Sequence, residues 1–189
     1  MDEDLPPDVI RSPQEAALRA LALMVTISIA FEADRAEMLS WLKEQGLESA
    51  LAPSEARFVR TDEPTRQQII DASWCSERLL VICWALGIVP ALPPPDEQCD
   101  TQLFIDGLPP YSTITAPDFL AAAKLRHEDE LLGMADQLLQ FHWEARNEKL
   151  TGQRPPQPVH IGIAQERHHA INWLIGYDGA PWDEVTTDT

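Results

Sequence analysis

Residues 20–31 read ALALMVTISIAF, twelve residues without a charged side chain. The stretch SPQE at residues 12–15 precedes this run. It combines a serine cap, a first-turn proline and a capping-box glutamate, and so predicts a helix that begins at Pro13 and runs to Glu32. Because this helix is apolar on nearly every side from Leu18 onward, we expect it to lie centrally, in contact with several other helices. A membrane span needs about 20 apolar residues, so the run predicts a buried helix instead.

A second apolar run, LLVICWAL at residues 79–86, indicates another central helix. A continuous apolar run is also compatible with a buried strand. The helical interpretation is favoured because residues 66–78 continue a helical pattern and because Gly87 supplies a stop. This predicted helix begins near Pro64 or Thr65.

The remaining predicted helices lie between caps, prolines and glycines, at residues 34–46, 53–60, 115–123, 126–150 and 161–175. These elements predict an all-α fold in which at least half the residues are helical and under a tenth are strand. We interpret the chain as a compact multi-helix bundle that packs around the two central apolar helices. Residues 1–189 are then a single helical domain with an acidic N-terminal arm at residues 1–12.

Two segments of this domain are predicted to be irregular. The Pro-rich loop at residues 88–117 contains no Lys or Arg, and its sequence LFIDG at residues 103–107 predicts at most a short β hairpin. The acidic tail at residues 176–189 contains a large aromatic residue, Trp182, next to Pro181. We expect Trp182 to be buried and to anchor the tail on the helical body.

The formal net charge of −17 limits the possible partners. A strongly negative field repels phosphate, so nucleic acid and anionic membranes are poor partners, whereas a basic protein remains possible. The three cysteines, Cys75, Cys83 and Cys99, have no disulfide framework spacing, which indicates a reducing compartment. The N-terminus has the wrong charge for a secretory signal. Together these features predict a cytoplasmic protein.

The common catalytic and metal-binding motifs are missing from the sequence. It contains no Gly-rich phosphate loop, no GxSxG and no HExxH. A metal hypothesis would combine His142 and either Glu128 or Asp136 with a residue of the last helix, His169 or Glu166. These residues do not have the Glu-x-x-His spacing of di-iron bundles. We therefore predict no metal and no cofactor.

Charged residues within apolar helix faces give a more specific prediction. A helical wheel places Glu77, Arg146 and Arg167 each on an apolar face. An unpaired buried charge is too costly to keep, so we expect Glu77 to pair with Arg167 or Arg146. Further carboxylates are expected to balance the second arginine, and the candidates are Asp136, Glu166 and Asp188. Such a cluster either sets the register of the helices or forms the floor of a ligand site.

Several segments together resemble a known family. They are WCSER at residues 74–78, WALG at 84–87, HWEAR at 142–146, Glu166-Arg167 with NWL at 172–174, and WDEVTTDT at 182–189. In order and in ending they are similar to the domain of unknown function DUF 4272, which is found mainly in bacteria. The resemblance covers roughly residues 13–189. It implies a helical domain that often forms a whole protein, and it implies no activity.

Two functional hypotheses follow from these observations. The first is a non-enzymatic interaction module that binds a basic protein partner, because the chain is acidic and carries no catalytic motif. The second is an enzyme or small-ligand-binding protein with a polar pocket between the last helices. A cavity of roughly 300 Å³ or more, lined by several of the polar residues there, would favour the second hypothesis.

Overall fold

The computed structural model describes residues 8–189, so most of the predicted acidic arm at residues 1–12 lies outside it. Of the described residues 64% are helical and none is in a strand, which confirms the all-α prediction. Seven α-helices are α1 Pro13–Ala30, α2 Arg35–Glu44, α3 Pro53–Val59, α4 Arg66–Ala85, α5 Ala116–Ala122, α6 Glu128–Thr151 and α7 Ile161–Ile175.

The helix ends follow the local chemistry of the sequence. Ser12 and Glu15 form the predicted capping box, in which the Glu15 carboxylate accepts from the backbone N–H of Ser12 at 2.8 Å. Thr65 caps α4 in the same manner. Gly152 and Gly176 end α6 and α7 with φ of 75°, a left-handed conformation that glycine adopts without steric cost.

The two apolar runs form the centre of the bundle. Helices α1 and α4 pack along each other, α7 packs on α4, and α6 packs on the opposite side of α7. Every residue of α1 from Ala20 to Ala30 is buried, as is every residue of α4 from Leu79 to Ala85. The prediction of two central helices is therefore confirmed. No helix within residues 8–189 is long and apolar enough to cross a membrane.

The Pro-rich loop lies over this core without forming a hairpin. The short β hairpin that the sequence allowed at residues 103–107 does not form, because two short 3-10 turns occupy Thr101–Leu103 and Ile105–Gly107. Their backbone N–H groups bond locally, as Gly107 does to the carbonyl of Phe104 at 3.0 Å. A lone strand would leave those groups without partners. The buried Phe104 side chain anchors the segment.

The tail folds back onto the bundle, and Trp182 is buried with 6% of its surface exposed. Its ring packs edge-on against the ring of Trp173 in α7, with 5.3 Å between the centroids. The Asn172 amide donates to the carbonyl of Thr186 at 3.0 Å, which holds the segment that follows. The expected burial of Trp182 is therefore confirmed, and the tail packs against α7.

Candidate functional site

Glu77 and Arg167 form a fully buried ion pair between α4 and α7. The Arg167 guanidinium donates through Nε to the Glu77 carboxylate at 2.8 Å, and the two side chains are 0% and 1% exposed. Both residues lie on the apolar faces that the helical wheel predicts for them. This pair joins the two helices at a fixed register, since a shift of either helix would separate two desolvated charges.

The same pair holds the Pro-rich loop. Arg167 also donates through one terminal nitrogen to the carbonyl of Pro93 at 2.6 Å. The second carboxylate oxygen of Glu77 accepts from the backbone N–H of Cys99 at 2.6 Å. The other terminal nitrogen of Arg167 has no hydrogen-bond partner among residues 8–189. The loop is thus attached to the charged centre at two points.

A second set of charges surrounds Trp182. The guanidinium groups of Arg19 and Arg78 lie 4.9 Å and 5.8 Å from its ring centroid. Each arginine is neutralised by a carboxylate, since Arg19 is held at 2.9 Å by Glu55 and Arg78 pairs with Glu166. The tail tryptophan therefore lies between two ion pairs, which add cation–π attraction to its apolar burial.

Sequence reasoning missed the ion pair between Arg19 and Glu55, which joins α1 to α3. The signal was present, because Arg19 is the only charged residue between Ala16 and Phe31 on a helix that is otherwise buried there. The helical-wheel argument that found Glu77 applies equally to Arg19. Glu55 also accepts from the backbone N–H of Ala52 at 2.8 Å at the start of α3, so its carboxylate has two structural partners.

His169 completes the surroundings of Trp182. Its Nε2 lies 3.0 Å from the carbonyl of Trp182, which accepts a hydrogen bond, so Nε2 carries the proton. Burial, and then the charge of Arg78, lower the pKa of His169 to about 3, which keeps the ring neutral. Its Nδ1 is buried and has no partner within the described part of the chain.

The tail also reaches the start of α3. The Asp183 carboxylate accepts from the backbone N–H of Ser54 at 2.8 Å and from the Ser54 hydroxyl at 2.6 Å. A carboxylate is favoured at this place because the first N–H groups of a helix have no partner within the helix. Asp183 thereby connects the tail to α3.

A surface cavity between α3 and α7, which we name the polar trough, has a volume of about 460 Å³. Its functional side chains come from α3, α4, α7 and the tail: Ser54, Arg57, Arg78, Glu166, His169 and Asp183. An adjoining cavity of about 310 Å³ shares Ser54, Arg57 and Arg78 with it. Arg57 is exposed and forms no ion pair within residues 8–189.

Four of the six predicted cluster residues lie away from the buried pair, and one of them, Glu166, pairs with Arg78 instead. Arg146, Asp136 and Asp188 are all exposed. The expectation that Arg146 points into the core is therefore wrong, and Asp136 does not balance it within one chain. Arg146 instead donates to the hydroxyl of Thr189 at 2.9 Å.

The error comes from the choice of the buried face of α6. The face that packs on the bundle consists of Leu131, Ala135, Leu138, His142 and Ala145. The residues predicted to surround Arg146 included Leu132 and Leu139, and both are more than 40% exposed. Helix α6 carries two neighbouring apolar stripes, and the wheel alone does not say which of them the bundle covers.

The histidines of α6 and α7 pair with each other. His142 and His168 are both buried, and their Nδ1 atoms are 3.1 Å apart. One ring must donate and the other accept, so the two rings have different tautomers. Burial, and then the neighbouring His142, lower the pKa of His168 to about 4. No three His, Cys, Asp or Glu side chains within residues 8–189 are grouped so as to hold a metal ion.

The two thiols near the site, Cys75 and Cys99, are partly buried and have raised pKa values. Burial raises the pKa of Cys75, beside Arg78, to about 12. Burial and then the Glu77 carboxylate raise the pKa of Cys99 to about 12 as well. Since the thiolate is the reactive form, these raised pKa values disfavour reaction of either thiol at neutral pH.

Comparison with known proteins gives a family and no activity. The sequence matches the family described as "Domain of unknown function (DUF4272)" over residues 3–185. No curated protein and no solved structure matches the chain. Because the matched residues cover nearly all of the helical bundle, the tail tryptophan and both members of the central ion pair, the chain belongs to the DUF4272 family.

Proposed function

We propose that this protein is a non-enzymatic interaction module that binds a basic protein partner through its acidic surface. The observation that carries the proposal is the distribution of charge. The four charged residues in the interior, Arg19, Glu55, Glu77 and Arg167, cancel one another. The net negative charge of the described residues is therefore carried outside the core, where it is available to attract a partner.

The Pro-rich loop offers a one-sided part of this surface. Asp96, Glu97, Asp100 and Asp106 are all exposed, and no Lys or Arg lies between residues 90 and 117. We name these four residues the acidic loop face. The loop is held on the core through Glu77, Arg167 and Phe104, so its carboxylates project from a fixed backbone and need little ordering when a partner binds.

The remaining features fit such a module. The proposal includes a cytoplasmic location and a bacterial origin. The three cysteines form no disulfide within residues 8–189, as is usual in a reducing compartment, and this supports the cytoplasmic location. All but one of the polar groups of the central ion pair bind other parts of the same chain, which supports a structural role for the pair.

The test compares two variants of equal net charge. In the first, Asp96→Asn, Glu97→Gln and Asp106→Asn neutralise three residues of the acidic loop face. In the control, Glu48→Gln, Asp62→Asn and Glu63→Gln neutralise three exposed carboxylates elsewhere. A protein captured by the wild type from host lysate, and then purified, should bind the control normally. Its affinity for the loop variant should fall at least tenfold, and its affinity for the wild type should fall with added salt. Equal affinity for all three proteins would contradict the proposal.

A second function, binding of a small anionic ligand, is favoured by one observation in the polar trough. Arg57 and Arg78 line the same cavity of about 460 Å³, and Arg57 has no carboxylate partner in the described region. Arginine binds carboxylate and phosphate groups in a bidentate manner. Citrate and inorganic phosphate are suitable probes. A rise in the melting temperature of the wild type that is lost in Arg57→Gln would support this function, whereas no shift with either probe would remove it.

A further inference from the structure

Helix α6 exposes a second stripe that the bundle does not cover. Its apolar members Leu132, Leu139, Trp143 and Leu150 are 43%, 41%, 50% and 80% exposed. Asp136 and Arg146 lie on the same side of the helix and are also exposed. We name these six residues the α6 stripe. Within residues 8–189 the tail touches the stripe at Arg146, which donates to the hydroxyl of Thr189, and the apolar members stay exposed. The large exposed tryptophan at its middle marks the stripe as a contact surface.

The spacing of the α6 stripe is that of a two-helix seam. Its successive members are separated by four, three, four, three and four residues. That alternation is the heptad pattern with which one helix packs along another over an extended contact. A helix that merely faces water has no need of a seam with this period.

The stripe is also symmetric about its own centre. Leu132 and Leu150 are each nine residues from position 141, Asp136 and Arg146 five, and Leu139 and Trp143 two. In an antiparallel pair of identical helices related by a twofold axis at that position, each residue faces the one equally distant on the other side. Leucine then meets leucine, Leu139 meets Trp143, and Asp136 meets Arg146 of the second chain.

We infer that a second copy of this chain occupies the stripe, and that the protein forms a twofold-symmetric dimer through antiparallel α6 helices. An isologous interface of this kind requires a self-complementary surface, which the stripe supplies in shape and in charge. It forms two ion pairs, one on each side of the axis. A parallel dimer would place Asp136 against Asp136 and Arg146 against Arg146, so like charges exclude the alternative orientation.

The charge pair cannot form within one chain. Asp136 and Arg146 are ten residues apart on a straight helix, which separates them by about 15 Å. Arg146 uses one nitrogen for Thr189, and a guanidinium has further N–H donors for a carboxylate. The seam from residue 132 to residue 150 is about 27 Å long. This length places the association among small, concentration-dependent interfaces.

The experiment measures the mass of the full chain by sedimentation across a concentration series at physiological ionic strength. The wild type should approach twice 21.2 kDa as its concentration rises. Asp136→Arg alone and Arg146→Asp alone should each remain monomeric, because each places like charges opposite one another. The double exchange Asp136→Arg with Arg146→Asp should restore the dimer. An equimolar mixture of the two single variants should form a heterodimer, since both of its charge pairs are again opposite.

Circular dichroism of each variant provides the folding control, since all the changed side chains are exposed. A matched control is Asp62→Arg, which changes the same charge at an exposed site off α6; it should dimerise like the wild type. A wild type that remains monomeric at the highest concentration reached overturns the inference. A dimer that is unaffected by both single variants, or single variants that the exchange does not restore, overturns it equally. These measurements need no basic partner, so their outcome is independent of the proposed function.

Discussion

The α4–α7 contact and the outer side of α6 share a sequence pattern, but the first is buried and the second is exposed. In both, a helical wheel places a charged residue among apolar neighbours. Glu77 and Arg167 meet each other in the core at 2.8 Å. Asp136 and Arg146 lie at the surface, too far apart along α6 to meet. The difference teaches that a charge within an apolar stripe can be buried with a partner or left at the surface, and for α6 the proposed partner belongs to a second copy of the chain.

The largest expected effect tests the buried side of the comparison. Glu77→Gln leaves Arg167 buried without a counter-charge, which typically costs about 3–5 kcal/mol. Urea unfolding of the variant should show a loss of that size. Asp136→Asn, measured in dilute solution, is the control and should change stability by less than about 0.5 kcal/mol, as exposed substitutions usually do. Equal effects for the two substitutions would mean that the central pair does not stabilise the fold.

The C-terminal tail provides a second test of the buried contacts. Deletion of residues 180–189 removes Trp182 and the carboxylate of Asp183 that binds the start of α3. Burial of one large apolar side chain contributes up to about 3 kcal/mol, so the unfolding free energy should fall by about that amount. Thermal unfolding gives a second measure, and an unchanged melting temperature would show that the tail does not stabilise the bundle.

The buried histidines add a dependence on pH. The pKa of His168 is about 4 in the folded protein, below the value of about 6.5 for a free histidine. As pH falls through this interval the unfolded chain binds the proton first, so stability is complete above about pH 6.5 and is lost toward about pH 4. His168→Gln should reduce the slope of stability against pH by about 1.4 kcal/mol per pH unit there. Identical slopes for the variant and the wild type would contradict this assignment.

The smallest expected effect belongs to the exposed stripe. Leu139→Gln in dilute solution should change the stability of the single chain by less than about 0.5 kcal/mol, because the side chain is 41% exposed. In concentrated solution the same substitution should weaken self-association, since Leu139 would face Trp143 of the second copy. A large loss of stability in dilute solution would place Leu139 in the core and remove this contrast between the two regions.

Much of the architecture follows from local chemistry. Helix ends depend on interactions within a few residues, as at the capping boxes of Ser12 and Thr65 and at Gly152 and Gly176. A local sequence pattern is therefore sufficient to predict them. The two uninterrupted apolar runs identify the central helices for the same reason. The structure of residues 101–107 cannot be predicted in this way, since a short apolar segment becomes a strand only if another strand is there to pair with it.

The sequence by itself determined the helices, the two that lie at the centre, the burial of Trp182 and the need of Glu77 for an arginine. Tertiary structure alone decided which arginine Glu77 meets, which stripe of α6 the bundle covers, and that Arg19, Arg78 and His169 surround the tail tryptophan. These outcomes depend on the relative placement of segments far apart in the chain. A buried charge must have a partner, because an unpaired one is too costly in free energy. Only the packing of the helices determines where that partner lies.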